Sequence, residues 1–128
     1  MAKKADLSPV ELEIMSVLWR KGNATVKDIQ AALGSQRPLA RTTINTLLSR
    51  MKDKGYVEAH EKNFAFEFSP LVERESVTRS KLGDLVDKVL EGNISPLAAY
   101  IVENRELTPD QVKVLEEIVR SESDREGR

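Results

Sequence analysis

The sequence predicts a mainly α chain with one small β-hairpin, and three observations lead there. Apolar residues recur at three- and four-residue spacings over most of the 128 positions. The stretch from Tyr56 to Phe68 switches to a period of two. Helix-start signals, a Ser or Thr three residues before an acid or amide, recur at Ser8, Thr25 and Thr108.

Ser8-Pro9-Val10-Glu11 opens the first helix. The Ser hydroxyl takes an orphan amide, and Pro9 has none to leave unsatisfied. Val10, Ile14, Val17 and Leu18 set its apolar face, with Met15 and Trp19 beside them, until Lys21-Gly22-Asn23 stops it near Arg20. Thr25 caps a second, short helix, Val26 to Leu33, with Val26, Ile29, Ala32 and Leu33 facing inward. Gly34 stands where a left-handed C-terminal cap is expected. Pro38 then excludes a continuous helix.

The third helix, Ala40 to Lys54, buries Ile44, Leu47, Leu48 and Met51. Its other face carries Thr42, Asn45, Thr46 and Ser49, with Arg41 and Arg50 at the edges and no acid before Asp53. After Gly55, "YVEAH" and "FAFEF" read as hairpin strands separated by Glu61-Lys62-Asn63, with Phe64, Phe66 and Phe68 alternating in the second. Helix, helix, helix and hairpin within residues 1–70 is the layout of a winged helix-turn-helix domain.

Beyond Ser69-Pro70 the chain is helical again. Leu82, Leu85, Val86, Val89 and Leu90 stripe a helix from Glu73 to Leu90. Ser95-Pro96 starts a short helix with Leu97, Ala98, Ile101 and Val102. Thr108-Pro109-Asp110-Gln111 starts a last one with Val112, Leu115, Ile118 and Val119, before a tail, "SESDREGR", expected to fray. Residues 71–128 therefore read as a three-helix domain too small to bury these stripes alone. Burying one Leu, Ile or Val is worth about 1.5–3 kcal/mol, so a second copy of the chain is the simplest cover. The expected dimer interface is Leu82, Leu85, Val86, Val89, Leu90, Leu97, Ile101, Val112, Leu115, Ile118 and Val119.

Composition bounds the function. The absence of Cys removes disulfides and thiolate chemistry, and the single His, His60, has no triad partners around it. No Gly-rich phosphate loop or metal-ligand cluster is visible, so neither catalysis nor a cofactor is expected. No apolar run reaches the roughly 18 residues of a membrane span, and the N-terminus lacks a signal-peptide core, which makes the cytoplasm the default address. The net charge of −1 hides an asymmetry. Residues 1–70 carry 11 Lys and Arg against 8 Asp and Glu, whereas residues 71–128 carry 9 against 13. The first part suits a polyanion.

The third helix fits that partner. In a helix-turn-helix the second helix of the pair enters the major groove of double-stranded DNA. Thr methyls meet thymine methyls, Asn suits adenine and Arg suits guanine. Discrimination is expected from Thr42, Asn45 and Thr46. Phosphate contact is expected from Arg41, Arg50 and, at the hairpin tip, Lys62. A solvated face without acids is the plainer alternative for the helix. A winged-helix adaptor that binds proteins is the alternative for the whole chain.

The pieces "LSPVELEIMSVLW", "TVKDIQAAL", "RTTINTLLSRMKDKGYV" and "FEFSPLVERES" resemble the penicillinase-repressor (BlaI/MecI) family. That resemblance covers residues 7–76 well and residues 77–120 in pattern. It implies a homodimeric transcriptional repressor on a palindromic operator, with Thr43, Asn45, Thr46 and Arg50 as operator contacts. Wings of the family often carry Arg where this chain has Phe64. Repressors of the β-lactam systems are cut at an Asn-Phe bond in the dimerisation domain, where this chain reads Tyr100-Ile101. The copper-responsive branch uses C-terminal cysteines, absent here. No sensor or protease partner is identified by the residues.

Overall fold

A computed structural model describes residues 5–104 and 107–126, with side chains described as far as Ser121. Its order is α1 (Pro9–Lys21), β1 (Ala24–Thr25), α2 (Val26–Leu33), α3 (Arg41–Asp53), β2 (Val57–Lys62), β3 (Ala65–Pro70), α4 (Arg74–Asp84), α5 (Ser95–Glu103) and α6 (Pro109–Glu126). The chain forms two compact units, Met1–Ser80 and Lys81–Arg128.

In the first unit, local signals set the helix starts. The Ser8 hydroxyl accepts from the Glu11 amide at 3.2 Å, and the Ser8 amide donates to Glu11 Oε1 at 2.7 Å. Thr25 and Asp28 repeat the exchange at 3.1 and 3.0 Å. The backbone amide of Thr25, then its hydroxyl contact, holds Asp28 below the usual carboxylate range. Gly34 takes φ +59° with ψ −148° and opens a single 3₁₀ turn, Gly34–Gln36. That conformation differs from the left-handed cap expected, and it is one that only Gly reaches readily.

Ile14, Met15, Leu18, Ile29, Ile44, Leu48 and Met51 are wholly buried between the three helices, closed on one side by Val57 and Phe68 of the sheet. Ala32, expected to face inward, is exposed. The helix ends just beyond it, and Leu33 packs on the core instead. Trp19 is half-buried at the core edge. Its indole N–H donates to the Val72 carbonyl at 2.9 Å, and Arg74 lies 5.3 Å above its ring.

The sheet has three antiparallel strands in the order β1-β3-β2, one more than the hairpin expected. Ala24 pairs with Phe68, and Thr25 with Glu67. A two-residue strand has no periodicity to read. The hairpin turn is Asn63-Phe64, with φ of +51° and +66°, the geometry of a type I′ turn. Phe64 is therefore a turn residue and not part of the alternating strand. Lys62 is the last residue of β2, paired with Ala65.

One polar cluster is buried among these elements. Glu11 is fully inaccessible, and Lys54, the C-cap of α3, donates to its Oε1 at 2.8 Å. Lys54 also donates to the Asp6 carbonyl at 2.9 Å, and the Tyr56 hydroxyl donates to the Ala5 carbonyl at 2.6 Å. Burial pushes the Glu11 carboxyl up. The Lys54 hydrogen bond, the Ser8 amide and the ammonium charge together outweigh that, so the group sits below its ordinary value.

In the second unit, the stripe expected as one α-helix to Leu90 changes form. α4 ends at Asp84, and Leu85–Val89 is a π turn, with the Leu90 amide donating to the Leu85 carbonyl at 3.0 Å. Over a single turn, apolar spacing does not separate the two windings. Asn93 Oδ1 accepts from the Ser95 amide at 3.2 Å at the start of α5, so Asn93 supplies the contact there, not Ser95. Thr108 and Gln111 form the expected capping box, at 2.9 and 3.2 Å. α6 continues to Glu126 through most of the tail expected to fray. No Gly or Pro interrupts it before Gly127.

Glu11→Gln keeps a capping residue of equal shape and removes only the charge that faces Lys54. Denaturant unfolding at neutral pH is expected to show a loss of about 1–3 kcal/mol. A carboxyl with a lowered native value stabilises above its unfolded value, about 4.3, and that contribution is lost on acidification. The gap between wild type and variant therefore closes as the pH falls below that value.

Candidate nucleic-acid interface

The candidate interface is built on α3. Its apolar residues at Ile44, Leu48 and Met51 are fully buried. That orientation leaves Arg41, Thr42, Thr43, Asn45, Thr46, Ser49 and Arg50 all exposed. Arg50 makes no ion pair among the described residues. It shares a cleft with Asn45, Thr46, Ser49 and Asp53.

Arg41 is held at the helix start. Its Nε donates to Gln30 Oε1 at 3.0 Å, and Gln30 Nε2 donates to the Leu39 carbonyl at 3.0 Å. A side chain of α2 thus fixes both the entry loop of α3 and its first arginine. The Thr46 hydroxyl donates back to the Thr42 carbonyl at 3.0 Å. Its proton is used within the helix, so Thr46 presents its methyl group and the oxygen lone pairs outward.

The wing completes the surface. A cleft of about 540 Å³ runs between α2, α3 and β3, lined by Thr25, Val26, Lys27, Arg41, Thr42, Asn45, Ala65, Phe66 and Phe68. Asn45, Ser49 and Lys52 also meet Ala59, Phe66 and Phe68 in an adjoining cleft. Thr42 and Asn45 therefore share walls with the hairpin, whereas Thr43 lines neither of these clefts. Lys62 is exposed, with Nζ 3.8 Å from Glu67. His60 is a surface residue, its Nε2 3.2 Å from Ser69 Oγ and 2.9 Å from Glu58.

Sequence reasoning missed Gln30, Lys27, Lys52 and Phe66 as parts of this surface. Lys27 lies in the first turn of α2, and the helix-turn-helix layout itself was the signal for it. Gln30, Lys52 and Phe66 join only through tertiary packing, which no local spacing reveals.

A polar helix face with no acid before Asp53, seated on a three-helix core and flanked by a hairpin, defines a winged helix-turn-helix protein. A family model described as penicillinase repressor matches residues 7–121, and the chain belongs to that family. The family consists of transcriptional repressors, not enzymes. Over 117 residues the chain is 28% identical to the methicillin resistance regulatory protein MecI of Mammaliicoccus sciuri, covering 91% of this chain and 95% of that protein. It is 22% identical over 125 residues to the penicillinase repressor of Bacillus licheniformis, covering 98% of each. The solved DNA-binding domain of the repressor BlaI matches with a TM-score of 0.51 and 27% identity, over 58% of this chain and 90% of that domain.

Proposed function

We propose that the chain represses transcription in the cytoplasm as a homodimer, placing two copies of α3 in successive major grooves of a palindromic operator. Its family makes it a DNA-binding transcriptional repressor. The observation that carries the DNA contact is the exposure of every polar residue from Arg41 to Arg50 over a fully buried Ile44, Leu48 and Met51. In this reading Asn45 and the methyl groups of Thr42, Thr43 and Thr46 read bases. Arg41, Arg50 and Lys62 meet phosphates. Two-fold symmetry separates the reading helices by roughly 34 Å or a multiple of it.

The second unit supports the dimer. Leu82, Val89, Val112, Leu115, Ile118 and Val119 are exposed, and Leu85, Val86, Leu90, Leu97 and Ile101 are only half-buried. No side chain described in α4, α5 or the turn between them is buried. A second copy covering these faces makes residues 71–128 the dimerisation domain. Losing it halves the DNA contacts and releases the operator. Among the described residues no helix is long and apolar enough to cross a membrane.

Selection of bound duplexes from random DNA tests the reading, since a palindrome with fixed half-site spacing is expected. On the selected site, Asn45→Ala should cost about 1–3 kcal/mol of preference at one base pair. Arg50→Ala should weaken specific and random duplexes alike and flatten the salt dependence by about one unit. Equal losses on both DNAs for the Asn45 change contradict its base-reading role. In sedimentation at micromolar concentration the intact chain should run as a dimer, and Leu115→Glu with Ile118→Glu should run as a monomer whose first unit stays folded.

A further inference from the structure

Phe64 carries two costs that nothing within the fold offsets. It is fully exposed, and its φ of +66° lies in the left-handed region where a bulky L-residue is strained. A type I′ turn favours Gly at this second position after Asn63. An aromatic side chain held in the wrong conformation and entirely in water points to a contact outside the molecule.

The surroundings identify that contact. Beyond Lys62 the hairpin offers phosphate nothing, because it carries three glutamates, Glu58, Glu61 and Glu67, and Lys62 has Glu67 at 3.8 Å. Its outer end is apolar, with Phe66 more than half exposed beside Phe64. Phe66 also lines the cleft shared with Arg41, Thr42 and Asn45, so the wing is continuous with the reading face of α3. Phe64 stands two residues from Phe66, in the turn before β3 begins at Ala65. With α3 in a major groove, the groove next to it across one phosphate strand is the minor groove, about 6 Å wide.

We infer that Phe64 is an apolar wedge, entering the minor groove beside the base pairs read by α3 and partly unstacking one base step. Proteins that kink DNA insert Phe, Leu, Ile or Met in this way, and flexible pyrimidine–purine steps yield most readily. The inference rests on the proposed docking of α3 in the adjacent major groove. It adds a preference for deformable flanking sequence at a position where no hydrogen bond is made.

The test uses the full-length protein on the duplex that wild type selects from random DNA, with 2-aminopurine placed at successive flanking steps. Wild type should raise the fluorescence at one step in each half-site. Phe64→Gly should abolish that rise and weaken binding roughly tenfold while leaving the salt dependence unchanged. The same variant should melt at a higher temperature, since Gly relieves the strained turn. Phe64→Leu should keep part of the unstacking signal. Wild-type affinity and fluorescence in the Phe64→Gly protein overturn the wedge and leave the α3 reading standing. Failure of wild type to select any duplex removes both.

Discussion

The exposed polar face of α3 depends on one buried ion pair. Lys54 ends α3 and reaches back to Glu11, which is at the same time the capping residue of α1. The same ammonium ties the Asp6 carbonyl, and Tyr56 ties that of Ala5. One end of α3 is therefore fixed to the chain segment that precedes α1. The other end is about 20 Å away at 1.5 Å per residue, where Gln30 holds Arg41 and the Leu39 carbonyl together. A helix pivoting freely at one end would displace its distal side chains by an ångström for each few degrees of tilt. The proposed base recognition tolerates little of that, so restraint at both ends is what makes a short polar face useful.

Charge divides the labour between helix and hairpin. α3 presents short polar groups and two arginines without an acid until its last residue, Asp53, and so approaches phosphate without repulsion. The hairpin carries three glutamates and buries Phe68 against the helices while turning Phe64 and Phe66 outward. Apart from Lys62 it has nothing to attract a polyanion. Whatever else it adds must come from shape and apolar contact at close range, which is insensitive to salt.

How much was legible follows from how local each signal is. The starts of α1, α2 and α6 rest on hydrogen bonds spanning three residues, and the sequence displays them directly. The buried side of α3 rests on a repeat within one helix, so Arg41, Thr42, Thr43, Asn45, Thr46 and Arg50 could all be placed outward. β1 has two residues, and its partner Phe68 lies more than forty positions away. No pattern in either segment announces the pairing. The turn at Phe64 was hidden because three phenylalanines at alternate positions look like one strand, and only the backbone shows that the first stands outside it. The Glu11–Lys54 pair was invisible for another reason: Glu11 already had a satisfactory local explanation as a helix cap, and Lys54 lies 43 positions away.

The second unit poses a thermodynamic question that leads back to function. α5 and α6 expose Tyr100, Val102, Val114, Leu115, Ile118 and Val119. Ordering a residue costs about 1–2 kcal/mol of backbone entropy, and faces left in water return little of it. In the proposed dimer, folding of this unit and its covering by a second copy are one equilibrium rather than two. A repressor built this way links occupancy of two half-sites to the integrity of its least self-sufficient part. When both halves are joined, the second half-site binds at high effective concentration, and affinity rises by about 10²–10⁴ without a new contact. Any agent that loosens the second unit removes that factor while the reading face stays intact.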